Sequence, residues 1–227
     1  MSQALSVRAR PSLPYVVPFG AYLGLMSLHL VAPLPDVADL ALRGGTMLVV
    51  LYWFARPVLD LHVQQWAASV VIGVAVFALW VAPDVLIPGY RHHWLFENPI
   101  TGKTSSSLSV ASQGQVGILM LRTTVAAAIV PIVEELFWRA WLMRWIINPD
   151  FQRVPLGTYT RQAFWIVAIL FASEHGSYWE VGLAAGVIYN WWMIRTKSLG
   201  DLILSHAVTN ACLSAYIIAA GKWEYWF

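Results

Sequence analysis

The chain has 227 residues, of which 59% are hydrophobic and 11% charged, with a net charge of +2 and a mean hydropathy of +0.61. A water-soluble domain carries about 25% charged residues, so this composition excludes one. The scattered basic residues argue against a nucleic-acid surface, and the single cysteine, Cys212, excludes an intramolecular disulfide.

Apolar runs of near-spanning length follow one another from end to end. In chain order they cover Leu13 to Ala32, Val37 to Ala55, Val63 to Ala82, Gly117 to Ile147, Gln162 to His175, Trp179 to Ile194 and Leu199 to Ala220. Arg8 and Arg10 precede the first run, which ends without a clear small-x-small cleavage site, so a retained signal-anchor helix is expected. Pro14 and Pro18 fall in its first turns, where proline is tolerated. The fourth run is over-long, and Pro131 inside it predicts a local kink. The fifth is short and is expected to continue through Gly176 towards Trp179. The expected fold is an all-α polytopic transmembrane bundle of about seven to eight spans. It forms one membrane domain over 1–227, with helices and a long loop in 1–114 and the chemistry-bearing helices in 115–220.

Lysine and arginine set the expected orientation. With a cytoplasmic N-terminus, Arg8, Arg10, Arg56, Arg144, Arg153, Arg161, Arg195 and Lys197 lie inside, against Arg91, Lys103 and Lys222 outside. The connection from Pro83 to Gln115 is too polar to span. His92 and His93 in it have no spaced partners and read as solvent-facing rather than as metal ligands, and Trp94, Leu95 and Phe96 suit the bilayer interface.

Ionisable residues inside apolar runs mark a functional interior. The fourth run holds Arg122, Glu134, Glu135 and Arg139; the fifth ends in Glu174 and His175; the sixth opens with Glu180; the seventh has Asp201, His206 and Asn210. Arg43 stands alone in the second run, where it snorkels or finds an anion. Arg122, near the outer end of its run, is expected to snorkel. Glu135 and Arg139 are four apart and can pair along one helix face. Glu134 is turned about 100° from Glu135, so the two carboxylates have different tasks. His206 and Asn210 also share a face. At about 1.5 Å per residue, His175 lies roughly 20 Å from Gln162 and His206 roughly 10 Å from Leu199. These distances bring the histidines, Asn210 and Glu134 to similar depth.

One carboxylate, two imidazoles and an amide suit water activation followed by oxyanion stabilisation, because a carboxylate in a partly dry site is a stronger base. Other membrane-protease signatures are missing: there is no H-E-x-x-H helix and no G-x-S-x-G elbow. Ser198 to Asp201 lacks the first glycine of a G-x-G-D loop, and Cys212 lies on roughly the opposite face from Asn210.

Glu134-Glu135-x-x-x-Arg139, Phe171-x-x-x-His175 and His206-x-x-x-Asn210, in that order, resemble the signature of the CAAX protease and bacteriocin-processing family, the intramembrane glutamate proteases. The segment SLGDLILSHAVTN is similar to that family's last motif helix, and the likeness covers roughly residues 115 to 220. It implies that Glu134 and His175 activate water, that His206 and Asn210 stabilise the oxyanion, and that Glu135 and Arg139 lock the helix or contact substrate. It also implies no obligatory cofactor and no metal, and a membrane-anchored or prenylated substrate entering laterally from the bilayer. The compact chain with its long middle loop further resembles the bacterial members associated with exosortase sorting systems, which implies the bacterial inner membrane. Glu174 departs from the pattern: it either pairs with His175 or faces away. A proton-coupled transporter and a non-catalytic immunity or scaffold protein stay open as alternatives.

Overall fold

The computed structural model describes residues 10–226; Arg8, counted above on the cytoplasmic side, lies outside them. Within them the chain forms seven long helices: α1 (Leu13–Val31), α2 (Asp36–Ala55), α3 (Trp66–Leu86), α4 (Val116–Ile147), α5 (Arg161–Ser173), α6 (Trp179–Thr196) and α7 (Leu199–Ala220). This is the all-α bundle expected. Four of these, α2, α3, α4 and α7, are long and apolar enough to cross a bilayer. Only 22% to 39% of the best window of each is buried. Their outer faces carry exposed Leu48, Trp53, Val71, Val74 and Leu86, an apolar surface that water would not tolerate and lipid does. The chain is an integral membrane protein.

Helix ends follow local chemistry. Thr160 and Ser198 cap α5 and α7, their hydroxyls accepting from Ala163 N and Asp201 N. Helix α3 begins at Trp66 rather than Val63 because the preceding residues are pinned in extended form against α7. Asp201 Oδ1 accepts from Gln64 N at 2.7 Å and Gln65 N at 2.9 Å. That fully buried carboxylate therefore serves the helix start electrostatically. Helix α4 is not a uniform α-helix. Wide π turns occupy Val125–Ile129 and Leu136–Leu142, one just before Pro131, whose missing N–H breaks the ladder.

Helix α5 stops at Ser173, short of the expected His175, and a 3₁₀ turn at Gly176–Tyr178 leads into α6. At 13 residues it is about 20 Å long and cannot cross a core of about 30 Å alone. The loop after α3 folds over one end of the bundle. Its Arg91 is buried, donating to Asp84 of α3, to Glu180 of α6 at 2.7 Å and to the Ser177 carbonyl at 2.6 Å. Phe96 is also buried, beside the Arg91 guanidinium. The interfacial patch expected at Trp94–Phe96 is therefore reduced to Trp94 and Leu95, while His92 and His93 do face outward. Glu97 fastens the loop to itself: hydrogen bonds from the Thr104 hydroxyl and amide, with His92 adding a third, push its carboxyl down to about 2.

Helices α3 and α7 make the closest long contact. At Gly73 a β-carbon would overlap the Ser205 carbonyl and stand 2.7 Å from Val208 Cβ. The Thr209 hydroxyl also donates to the Gly73 carbonyl at 2.9 Å. Gly73→Ala is expected to cost about 1–3 kcal/mol through overpacking, seen as a lower melting temperature in detergent. Gly20→Ala, where the added methyl meets nothing within 4 Å, is the control and keeps the wild-type value or exceeds it.

Candidate active site

Six helices, the turn after α5 and the C-terminal turn surround a cavity of about 200 Å³. Helix α4 contributes Arg122, Ala126, Val130 and Glu134, a strip at four-residue intervals. Helix α7 runs antiparallel beside it, contributing His206 and Asn210, and His175 projects from the turn after α5. Phe19, Tyr22, Leu23 and Met26 of α1 form another wall. The cavity thus brings together Glu134, His175, His206 and Asn210, four of the six residues singled out in sequence.

The other two, Glu135 and Arg139, lie behind the wall. Both are fully buried. Arg139 Nη1 donates to both oxygens of Glu135 at 3.1 Å. Its Nε donates to Asn190 Oδ1 at 2.8 Å, and its guanidinium lies 4.4 Å from the Phe171 ring centroid. Asn190 in turn donates to the Phe164 carbonyl at 2.8 Å, so one cation ties α4 to α6 and α5. Glu135 also meets His206 Nδ1 at 2.7 Å. Facing Arg139, Glu135 is an acceptor, so Nδ1 of His206 carries the hydrogen. The imidazole plane is further held by Tyr189, stacked at 5.0 Å, whose hydroxyl donates to Thr209 at 2.7 Å.

Held in this way, His206 turns Nε2 to the cavity, 3.9 Å from Glu134 Oε2. That is too long for a hydrogen bond and suits a small group touching both. Glu134 Oε2 is sealed from bulk solvent and has no bonded partner, a costly condition for a carboxylate unless a ligand completes it. His175 is oriented by the end of α5. The last carbonyls of a helix lack intrahelical donors, and Phe171 O takes His175 Nδ1 at 2.7 Å. A carbonyl only accepts, so Nδ1 is protonated and Nε2 keeps a lone pair. The four-residue spacing of Phe171 and His175 thus works through a helix terminus, not along a continuing helix. Asn210 Nδ2 donates one hydrogen to Ala126 O at 2.8 Å, which fixes the amide and leaves its second N–H free.

Two features escaped the sequence reading, Asn190 and the place of Arg122, while Arg43 and Glu174 each take one of the alternatives the sequence left open. Asn190 was overlooked, although a carboxamide within apolar α6 is the same signal that marked Asn210. Arg122 does not snorkel; it lines the cavity. Arg43 finds Asp39 at 2.8 Å. Glu174 does not hydrogen-bond His175; it is an exposed residue at the cavity margin. Among the described residues no group of three His, Cys, Asp or Glu side chains is arranged to hold a metal ion.

Residues 116–212 match the family model described as type II CAAX prenyl endopeptidase Rce1-like. Over these residues the chain is similar to the CAAX protease family. The matched segment begins with α4 and ends in α7, so it contains Glu134, His175, His206 and Asn210. No match was found among curated proteins or among solved structures.

Removing Arg139 strands a buried carboxylate. Arg139→Met is expected to cost about 3–5 kcal/mol, read as a large drop in melting temperature. Arg139→Lys keeps the charge without the fork and is expected to fall between. A Met variant as stable as the wild type would contradict this clamp.

Proposed function

We propose that the protein is an intramembrane endopeptidase that hydrolyses a peptide bond near the C-terminus of a membrane-anchored or prenylated substrate. The observation that carries this reading is the unbonded Oε2 of Glu134, facing His206 across 3.9 Å in a cavity shared with His175 and Asn210. A carboxylate so placed is a general base awaiting water.

Glu134 takes one proton from the water, while His175 Nε2 accepts the other hydrogen in a hydrogen bond and aims the oxygen. The water oxygen attacks the carbonyl carbon, and the carbonyl oxygen becomes an oxyanion. His206 Nε2–H and the free N–H of Asn210 receive it. For His206 to donate from both nitrogens it must hold both hydrogens, with Glu135 facing Nδ1 at 2.7 Å and Glu134 facing Nε2 at 3.9 Å. Collapse breaks the C–N bond, and Glu134 returns its proton to the leaving amine. No metal or other cofactor takes part in this sequence.

Substrate access supports the same reading. Leu23 and Met26 line the cavity and yet are 41% and 37% exposed, so the chamber opens through α1 towards the lipid. An anchored peptide thus reaches it laterally from the bilayer. The lysine and arginine distribution favours a cytoplasmic N-terminus, and the resemblance to exosortase-associated members favours the bacterial inner membrane. A transporter reading finds less support, because the sequence shows no sign of an internal repeat.

Purified protein in liposomes, offered lipid-anchored and prenylated peptides, is expected to cleave them. Glu134→Ala and His175→Ala are each expected to lower kcat by at least about 10²-fold while keeping a folded, monodisperse protein. Normal cleavage by both variants would remove this mechanism.

A further inference from the structure

We propose that Arg122 is the receptor for the free C-terminal carboxylate of the substrate, and so sets how far from the chain end the cut falls. This rests on the endopeptidase reading above.

Arg122 stands on the same α4 strip as Glu134, three four-residue steps towards the outer end. Every acid near it is engaged elsewhere. Asp39 is bonded to Arg43 at 2.8 Å and faces His29 at 3.3 Å. Asp36 accepts from Ser109 N and Oγ at 3.0 and 2.6 Å. Among the described residues Arg122 donates to the Ser107 hydroxyl at 3.2 Å and has the Trp226 ring at 5.9 Å from its guanidinium carbon. Its Nε is sealed from solvent and bonded to nothing. A guanidinium at the edge of a largely apolar cavity with an idle N–H is a site for a planar anion, which it binds through paired donors.

The shape of the cavity selects the anion. Tyr225 and Trp226, both buried, line it beside Arg122. Trp226 O accepts from Ser107 N at 2.6 Å, and Tyr225 OH donates to Asp84 at 2.8 Å, which hold this aromatic wall in place. A chain threading past Glu134 and Asn210 therefore meets a wall with a cation in it. A chain end fits there, and of the two ends the carboxylate is the one attracted.

Spacing gives the tail length. Asn210 is bonded to Ala126, four residues from Arg122 and so about 6 Å along the helix, whereas Glu134 is twelve residues and about 18 Å away. The scissile carbonyl lies between these levels. At about 3.3–3.6 Å per extended residue, the released fragment is roughly two to five residues long.

The test uses the full-length protein in phosphatidylcholine liposomes with lipid-anchored peptides of randomised sequence. Each peptide is made with a terminal carboxylate or a terminal carboxamide, and products are read by mass spectrometry. The expected result is at least about a tenfold higher kcat/KM for the carboxylate series, with released tails clustered at two to five residues. Arg122→Gln cleaves both series at the wild-type carboxamide rate with scattered tail lengths, and Arg122→Lys keeps part of the preference. Equal wild-type cleavage of both series overturns the assignment. So does a folded Arg122→Gln protein that keeps the preference. A preference abolished by replacing the vesicles with phosphatidylglycerol assigns Arg122 to lipid phosphate and overturns it as well. Cleavage of neither series by the wild type removes the peptidase reading itself.

Discussion

The Glu135 carboxylate, fully buried between Arg139 and His206, is the interaction on which the rest of the site depends. An isolated charge there would cost several kcal/mol. Arg139 compensates it with both donors of one amino group and reaches onward to α6, while His206 compensates it from α7. Three helices thus meet at one anion, and His206 is left with a single orientation. Its Nε2 then points into the cavity because Nδ1 is committed. The chain obtains a rigid imidazole on a membrane helix.

The two adjacent glutamates divide the work because a helix turns about 100° per residue. Glu135 goes into the packed wall and is fully satisfied. Glu134 goes to the cavity and is left with an unbonded oxygen. The wide π turn that follows, Leu136–Leu142, lies where Arg139 must swing back to Glu135 and across to Asn190. Irregular turns of this kind recur at functional sites because they re-aim side chains that a regular helix would stack.

Much of this was legible in sequence. Hydrophobic runs located all seven helices, because in lipid the apolar face has no reason to alternate with water. Polar residues stranded in those runs include Glu134, His175, His206 and Asn210, which the fold brings to one cavity. What sequence misplaced depends on long-range contacts. His175 was assigned to a helix that ends two residues earlier at Ser173, because a histidine bonding a terminal carbonyl leaves the same four-residue spacing as a continuous turn. Arg122 was assigned to the interface, because the wall formed by Tyr225 and Trp226 lies about a hundred residues away in the chain. Arg91 looked like a loop charge, and its two carboxylate partners, Asp84 and Glu180, come from separate helices.

The division of labour between the glutamates is tested most directly by two isosteric variants compared side by side. Glu134→Gln and Glu135→Gln would each be purified, melted in the same detergent and assayed in liposomes. Glu134→Gln is expected to melt at or above the wild-type temperature with cleavage lost, since it removes only an unpaired charge. Glu135→Gln is expected to melt well below it, because Arg139 and His206 lose their shared acceptor. A destabilised Glu134→Gln beside an undisturbed Glu135→Gln would contradict the assignment of base and anchor.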